Sequence, residues 1–374
     1  MLPRRSHVRG ARWTGSTGST GSTGERRRRE MPRVSENLAE QVAAAVAQHQ
    51  TMHALLLHQR GGPDQLVYGE TPRPPLAIDD ALVRVHAASI TPTELRWPST
   101  WEDRAGRSRL PVIPSHEVAG VVTALGYGTT RVAEGAAVYG LTDWYRNGAA
   151  AEYIAVEARD LAPMPTSLTF AEAAAVPLAG LTAWQALFDH GHLTAGQTVL
   201  IHGASGGVGT FAVQLAHITA AHVIATGRAW ARELVLGLGA DEYVDLDQQR
   251  PFEHVVGAGT VDLVLDLVGG ELLRRSWGVV KPGGALVSAV ADPRAAVTAR
   301  PDARSVFFVV VPDRIELGAL AQRIDAGDLR PIIGAVFPLA DGRAAFEAKE
   351  DRGGTGVPGK MILAVADAQA HATR

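Results

Sequence analysis

The stretch Val199 to Ala216, "VLIHGASGGVGTFAVQLA", constrains the fold of this 374-residue chain more than any other segment. An apolar run feeds a glycine-dense loop, and the loop feeds a segment whose apolar residues recur at helical spacing. The frame ending on Gly209 runs Ala204-Ser205-Gly206-Gly207-Val208-Gly209, with alanine where the strict dinucleotide pattern has its first glycine. A diphosphate needs backbone N–H groups aimed at it and no Cβ in its way. Gly206, Gly207 and Gly209 meet that need, and the helix start adds a favourable dipole. Ala204 is small enough to leave the turn open. Any glycine turn between a strand and a helix can look similar, so the neighbouring segments must decide.

Those neighbours keep a βαβ rhythm. "TVLIHG" reads as a buried strand, Gly207 to Ile218 as a helix, "HVIATG" as a second strand, and Ala229 to Leu238 as a second helix ending at Gly239. "VDLVLDLVG", "GGALVSAV" and "SVFFVVV" add apolar strands without strict alternation, as a sheet covered on both faces requires. The expectation is an α/β protein with a doubly wound parallel sheet. Upstream, from Met52 to about Leu161, short β-rich runs such as "ALVRVHAASI" and "EVAGVVTAL" alternate with Gly/Pro/Asp clusters, which suggests a small barrel. "FAEAAAVPLAGLTAWQALFDHG" is helical, with a bend expected at Pro177. After Asp313 a helix (Arg314 to Asp325), "GAVFPL", a helix (Asp341 to Lys349) and "KMILAV" could return to the first domain. The expected division is a poorly ordered tail at 1–51, a barrel at 52–177, a nucleotide domain at 178–312 and a C-terminal segment at 313–374.

The end of the second strand bears on the cofactor. NAD sites place an acid there for the ribose 2′-OH. This strand ends in Gly227, followed by Arg228 and then Arg232. A carboxylate would repel a 2′-phosphate, whereas glycine leaves room for it and guanidinium groups bind it bidentately. On one helix the two arginines would share a face. NADPH is therefore expected over NADH.

Composition narrows the chemistry further. The chain has no cysteine, which excludes disulfides and every thiolate metal site. Residues 1–51 carry nine arginines and four glutamates, whereas the remainder has 27 basic against 35 acidic residues. An acidic body argues against nucleic acid as a partner. No apolar run approaches the ~20 residues that cross a bilayer, so no membrane partner and a cytoplasmic location are expected. The tail segment "TGSTGSTGSTGERRRRE" cannot bury apolar surface and lacks the amphipathic face of a transit peptide. Met31 or Met52 is the expected functional start.

Taken together, the chain resembles the medium-chain dehydrogenase/reductase superfamily, and within it the zinc-free, quinone oxidoreductase-like branch. The resemblance runs from Met52 to about Val365 through "GGPDQLVY", "LVRVHAASITPTELRW", "IPSHEVAGVVTALG", "LAGLTAWQAL", "HGASGGVG", "LGADEYVD", "VDLVLDLVGG", "VVKPGG" and "GKMILAV". It implies a GroES-like β-barrel catalytic domain plus a Rossmann domain, with the cofactor in the cleft between them and a homodimer or homotetramer. It also implies Thr182 at the nicotinamide end and Ser205, Gly206, Gly207 and Val208 at the diphosphate. Gly227, Arg228 and Arg232 fall at the 2′-phosphate, Val268 and Val290 beside the nicotinamide ribose, Phe308 over the cleft, and Lys360 near the phosphates.

Zinc members of the superfamily bind their metal through a cysteine, the histidine of a G-H-E motif and a further cysteine or acid. Here Thr91 stands at the first position, His116-Glu117 follows Ser115, and the third position falls near Thr182. One histidine with Glu94 or Glu117 does not make a tetrahedral site, so no metal is expected. What is left is hydride transfer from NADPH to a small electrophilic acceptor, a quinone or an α,β-unsaturated carbonyl. Relatives that reduce enoyl thioesters use a tyrosine shortly after the turn at Thr91, and this chain has none between Tyr68 and Tyr127. Thr91, Glu94, His116 and Tyr145 are the polar candidates for the catalytic cleft. Plainer readings stay open: a salt bridge or cap for Glu94, a satisfied inward histidine for His116, a loop aromatic for Tyr145 and a core residue for Phe308. A zinc-type alcohol dehydrogenase and a non-catalytic NADPH-binding protein are the alternatives.

Overall fold

Strand pairing sorts the chain into two principal sheets. The computed structural model describes residues 50–248, 251–295, 301–350, 356–366 and 369–371. The tail expected to be poorly ordered lies outside these residues, apart from its last two positions. Strands β1 (Thr51–Leu57) and β2 (Leu66–Pro72) form an antiparallel hairpin. Five more strands follow: β3 (Asp80–Ile90), β4 (Glu117–Leu125), β5 (Ala137–Leu141), β6 (Tyr153–Glu157) and β7 (Leu161–Pro163). They pair antiparallel, and β3 is the hub, bonded to both β4 and β6.

The second sheet holds β8 (Thr198–His202), β9 (His222–Gly227), β10 (Glu242–Asp245), β11 (Val261–Asp266), β12 (Val280–Ser288) and β13 (Arg304–Phe307). Its order is β10-β9-β8-β11-β12-β13, and every pairing is parallel. This is the doubly wound order, in which the chain reverses direction across the sheet between β8 and β11. Ligands of such sheets bind at the carboxyl ends of the strands at that point. The helix Gly207–Ile218 begins there.

Near the C-terminus the chain crosses back. Strand β14 (Ile333–Pro338) pairs parallel with β15 (Lys360–Ala364), and β15 pairs antiparallel with β3, Met361 opposite Ile90. The first sheet thus takes its edge from residues far along the chain, and β15 begins beside the nucleotide-type sheet.

Two local expectations change. Pro177 does not bend one long helix. It stands in the first turn of a separate helix, Pro177–Trp184, after Phe170–Ala174, where its missing N–H breaks no helical bond. The apolar run "SVFFVVV" is a strand only as far as Phe307; beyond it the Phe308 N–H still donates to the Ser288 carbonyl, and the Val310 and Val311 backbone bonds to the Trp144 and Gln185 side chains. Alanines and Gly180 let the helix Pro177–Trp184 pack tightly, since a Cβ on Gly180 would stand 2.9 Å from Leu320 Cδ1. That packing, together with the bond from the Tyr139 hydroxyl to the Leu317 carbonyl (2.6 Å), fixes the helix Arg314–Asp325 against the helix Pro177–Trp184 and the first sheet.

Candidate functional site

The glycine loop owes its shape to packing. Gly203 has φ +75°, a left-handed conformation that favours glycine. A Cβ on Gly209 would stand 2.2 Å from the Gly203 carbonyl oxygen, so the third glycine is needed to close the turn. Gly206 caps the helix Gly207–Ile218 with extended backbone, leaving the first-turn N–H groups directed out of the helix. Ser205, Gly206, Gly207 and Val208 are all partly exposed there. The loop is tied to β15 through the Gly359 N–H, which donates to the Ser205 carbonyl at 3.0 Å. A Cβ on Gly207 would meet Lys360 Cδ at 2.6 Å. Its absence makes room for the lysine stem.

Lys360 carries the loop into a buried cluster. Its ammonium pairs with the Glu117 carboxylate and approaches the Ile90 carbonyl (3.3 Å) and Thr91 Oγ1 (3.5 Å). The other Glu117 oxygen accepts the Leu178 N–H at 3.0 Å, at the start of the helix that carries Thr182. Lys360 was expected near the phosphates, but only its stem lies along the loop; its charge is committed to Glu117. The Thr182 hydroxyl is buried and bonded to the Leu178 carbonyl at 2.6 Å.

Glu94 and His116 stand on the same segments. Glu94 accepts the Ser115 N–H at 2.9 Å and the Thr91 N–H at 3.4 Å. Burial pushes its pKa up to about 7 despite those bonds. His116 Nδ1 lies 3.1 Å from Thr142 Oγ1, and its ring meets Trp144 edge-on at 5.0 Å. Burial, and secondarily Arg109, lower its pKa to about 3, so the imidazole is neutral. Thr91 and Glu94 are therefore brought together, whereas His116, next in the chain to the Ser115 that Glu94 bonds, turns its ring to Thr142 and Trp144. Tyr145 is not part of that cluster: it is 38% exposed and stacks under the Arg104 guanidinium at 4.6 Å.

Ser115 is a residue that sequence reasoning passed over. It has φ +71° and is fully buried, and its hydroxyl has no partner. The left-handed backbone costs a non-glycine residue about 1–2 kcal/mol, and an unpaired buried hydroxyl adds to that. The Ser115→Gly variant is expected to be about 1 kcal/mol more stable after the entropy of the unfolded glycine is counted. Thermal unfolding should then shift upward by about 2–4 °C; a downward shift would contradict the strain.

The strand ends complete the site. Buried Asp266 accepts the Val268 and Gly269 N–H groups and the Ser288 hydroxyl. Ser288 Oγ in turn accepts from the Val290 and Ala291 N–H groups at 3.1 and 3.2 Å. This pair holds the loops after β11 and β12 so that Val268 and Val290 stand about half exposed, at 51% and 49%. His202, beneath the glycine loop, is buried between Thr226 and Ser276 and kept neutral by burial.

Two expectations at these ends are corrected. Arg228 and Arg232 do not share one helix face. Arg228 caps a short turn with extended backbone, and Arg232 opens the next helix and donates to the Tyr243 carbonyl at 3.1 Å. The second strand ends in Gly227 as read, and its register partner is Asp245 of β10. Phe308 is buried in the core with its ring 4.6 Å from His190, which is a packing position.

Comparison with known proteins agrees with this geometry. Residues 77–166 match the model of the alcohol dehydrogenase GroES-like domain, and residues 238–363 that of a zinc-binding dehydrogenase domain. The chain is 31% identical over 309 residues to an Arthroderma benhamiae protein named "Probable zinc-binding oxidoreductase, mitochondrial", covering 79% of this chain and 91% of the relative. The chain belongs to the medium-chain dehydrogenase/reductase superfamily. It is also 34% identical over 279 residues to the 2-methylene-furan-3-one reductase of Solanum lycopersicum, covering 71% of this chain and 67% of that one. Among solved structures it is similar to the quinone oxidoreductase of Coxiella burnetii, with TM-score 0.78, 29% identity and coverage of 84% and 99%. Its first sheet is accordingly the GroES-like domain and its second the Rossmann sheet, and it is an oxidoreductase of that superfamily.

Zinc members of the superfamily raise a metal as a further component. The residues of this member do not suit one. Thr91 offers only a neutral hydroxyl near Lys360, His116 brings a single imidazole, and the carboxylates of Glu94 and Glu117 are bonded to backbone N–H groups and, for Glu117, to Lys360. Among the described residues no group of three His, Asp or Glu side chains could hold a metal ion. A nicotinamide dinucleotide does suit the loop, where the helix Gly207–Ile218 starts at two glycines whose missing Cβ atoms leave its first turn open to a ligand.

Proposed function

We propose that the chain is an NADPH-dependent oxidoreductase that passes hydride to a quinone or an α,β-unsaturated carbonyl without a zinc ion. The observation that carries this reading is the junction at Gly359 and Lys360. It sets a glycine-lined helix start against a Thr91–Lys360–Glu117 cluster with a buried ion pair, whose groups are a poor donor set for a metal. When bound, the nicotinamide supplies the hydride. A conjugated acceptor suits such a site because its own π-system spreads the developing negative charge. The names of the tomato and Coxiella burnetii relatives refer to acceptors of that kind.

In this reading Ser205 to Val208 bind the diphosphate through backbone N–H groups, and Val268 and Val290 border the ribose. Arg228 takes the 2′-phosphate, a role that falls mainly to it because Arg232 is turned toward Tyr243. Glu94 keeps a proton on its carboxyl near neutral pH and, with Thr91, is our candidate for proton supply. Trp144 shields His116 from water.

The cofactor assignment has a direct test. Arg228→Ala should lose about 1–3 kcal/mol of NADPH binding and little of NADH binding. Titration of the intrinsic tryptophan fluorescence measures both. An equal loss for the two cofactors would remove the 2′-phosphate argument.

A further inference from the structure

Trp144, which packs on His116, also lines a cavity of about 730 Å³. That is within the ~300–1,000 Å³ of ordinary small-molecule sites. Four arginines border it, Arg104, Arg131, Arg159 and Arg314, in a chain whose body is acidic. Two of these charges are answered locally. Arg104 pairs with both oxygens of Asp143 (2.9 and 3.0 Å), and Arg159 pairs with Glu157. Asp313 is spent on its own helix, accepting the Ile315 and Glu316 N–H groups at 2.7 and 2.9 Å.

Arg131 and Arg314 are different. Neither has a carboxylate within 4.0 Å among the described residues. Arg314 donates Nη2 to the Arg131 carbonyl at 2.9 Å, and its Nε is buried without an acceptor. A buried guanidinium donor left unpaired is costly and is ordinarily answered by an anion. Asp160, the remaining acid of the cavity, lies 3.8 Å from Arg159, so it does not answer Arg131 or Arg314. A second cavity of about 530 Å³ shares Arg131 and Arg159 with the first and adds Asp79 and Glu157, so the groove continues away from Trp144 with its charges balanced.

We propose that this cavity is a specificity subsite for an anionic group of the acceptor, a carboxylate, sulfonate or phosphate, engaged by Arg131 and Arg314. The proposal rests on the reductase reading for the word acceptor, because Trp144 forms a wall shared with the His116 cluster. The groove then favours acceptors whose conjugated part and anionic part are separate ends of one molecule.

The test compares naphthalene sulfonate with neutral naphthol by isothermal titration, using the full chain and its Arg131→Gln/Arg314→Gln double variant. Wild type is expected to bind the sulfonate ~10-fold or more tightly than naphthol, an advantage that shrinks with added salt. The double variant should lose that advantage while keeping its thermal unfolding and its NADPH affinity. Equal binding of the two aromatics by wild type, or an undiminished advantage in the variant, overturns the subsite. A turnover arm uses naphthoquinone and its sulfonate. The variant should raise KM for the sulfonate alone, with kcat kept; KM values that move together contradict the proposal. If neither quinone is reduced the reductase reading fails, and the titration still decides the anion subsite.

Discussion

Replacing Lys360 with methionine should destabilise the protein by about 3–5 kcal/mol, as expected when one partner of a buried ion pair is removed. Lys360 and Glu117 are both buried, and among the described residues the remaining donor to the Glu117 carboxylate is the Leu178 N–H. Methionine keeps the apolar stem against Gly207, so the loss isolates the charge rather than the packing. The double variant Lys360→Met/Glu117→Gln should recover most of the stability, because it removes both charges and leaves polar atoms that the Leu178 N–H can still satisfy. Urea unfolding of wild type, both singles and the double gives the cycle. A Lys360→Met cost below ~1 kcal/mol would show that the pair is solvated in a way its burial does not suggest.

The second large effect is a pH dependence. Burial raises the Glu94 pKa from its ordinary 4.5 to about 7. Between those values the folded chain holds a proton that the unfolded chain has released. The stability contributed by this group is therefore complete below about pH 4.5 and is lost as pH rises through about 7. Glutamine at this position has no proton to lose. Glu94→Gln should thus gain stability relative to wild type across that window, by up to about 3 kcal/mol. Asp160 and Glu316, raised by burial, act in the same direction, and His116 and His202, lowered by burial, act in the opposite one. All four are present in both proteins, so the difference isolates Glu94. Urea unfolding at a series of pH values reads it, and a difference that stays constant with pH would contradict the buried proton.

The Rossmann half is legible in the sequence because each of its signals is local. A buried strand, a glycine turn and a helix of period 3.6 follow one another within Val199 to Ile218, and the structure keeps them as β8, the loop and Gly207–Ile218. The partnerships of the catalytic side are not local. Lys360 meets Glu117 across 243 positions and Thr91 across 269, and no pattern of spacing connects them. Ser115 could have been suspected from its place in "PSHEVAG", yet its positive φ shows only once Glu94 is seen to take its N–H. Arg228 and Arg232 illustrate the opposite error. Helical spacing placed them on one face, but a turn at Ala229–Ala231 separates them, and the Tyr243 carbonyl captures the second. The arginine-lined cavity draws its residues from five separate segments of the chain, so it is invisible until the chain is folded.

The measurement that bears most directly on the account is NADPH oxidation by purified protein, after metal removal and with a strong chelator present, against naphthoquinone and a simple enone. The account predicts turnover with NADPH in at least one of these acceptors, slower turnover with NADH, and no change on adding zinc. Activity that disappears with the chelator and returns with zinc would contradict it, as would NADPH that binds tightly and is never oxidised by either acceptor.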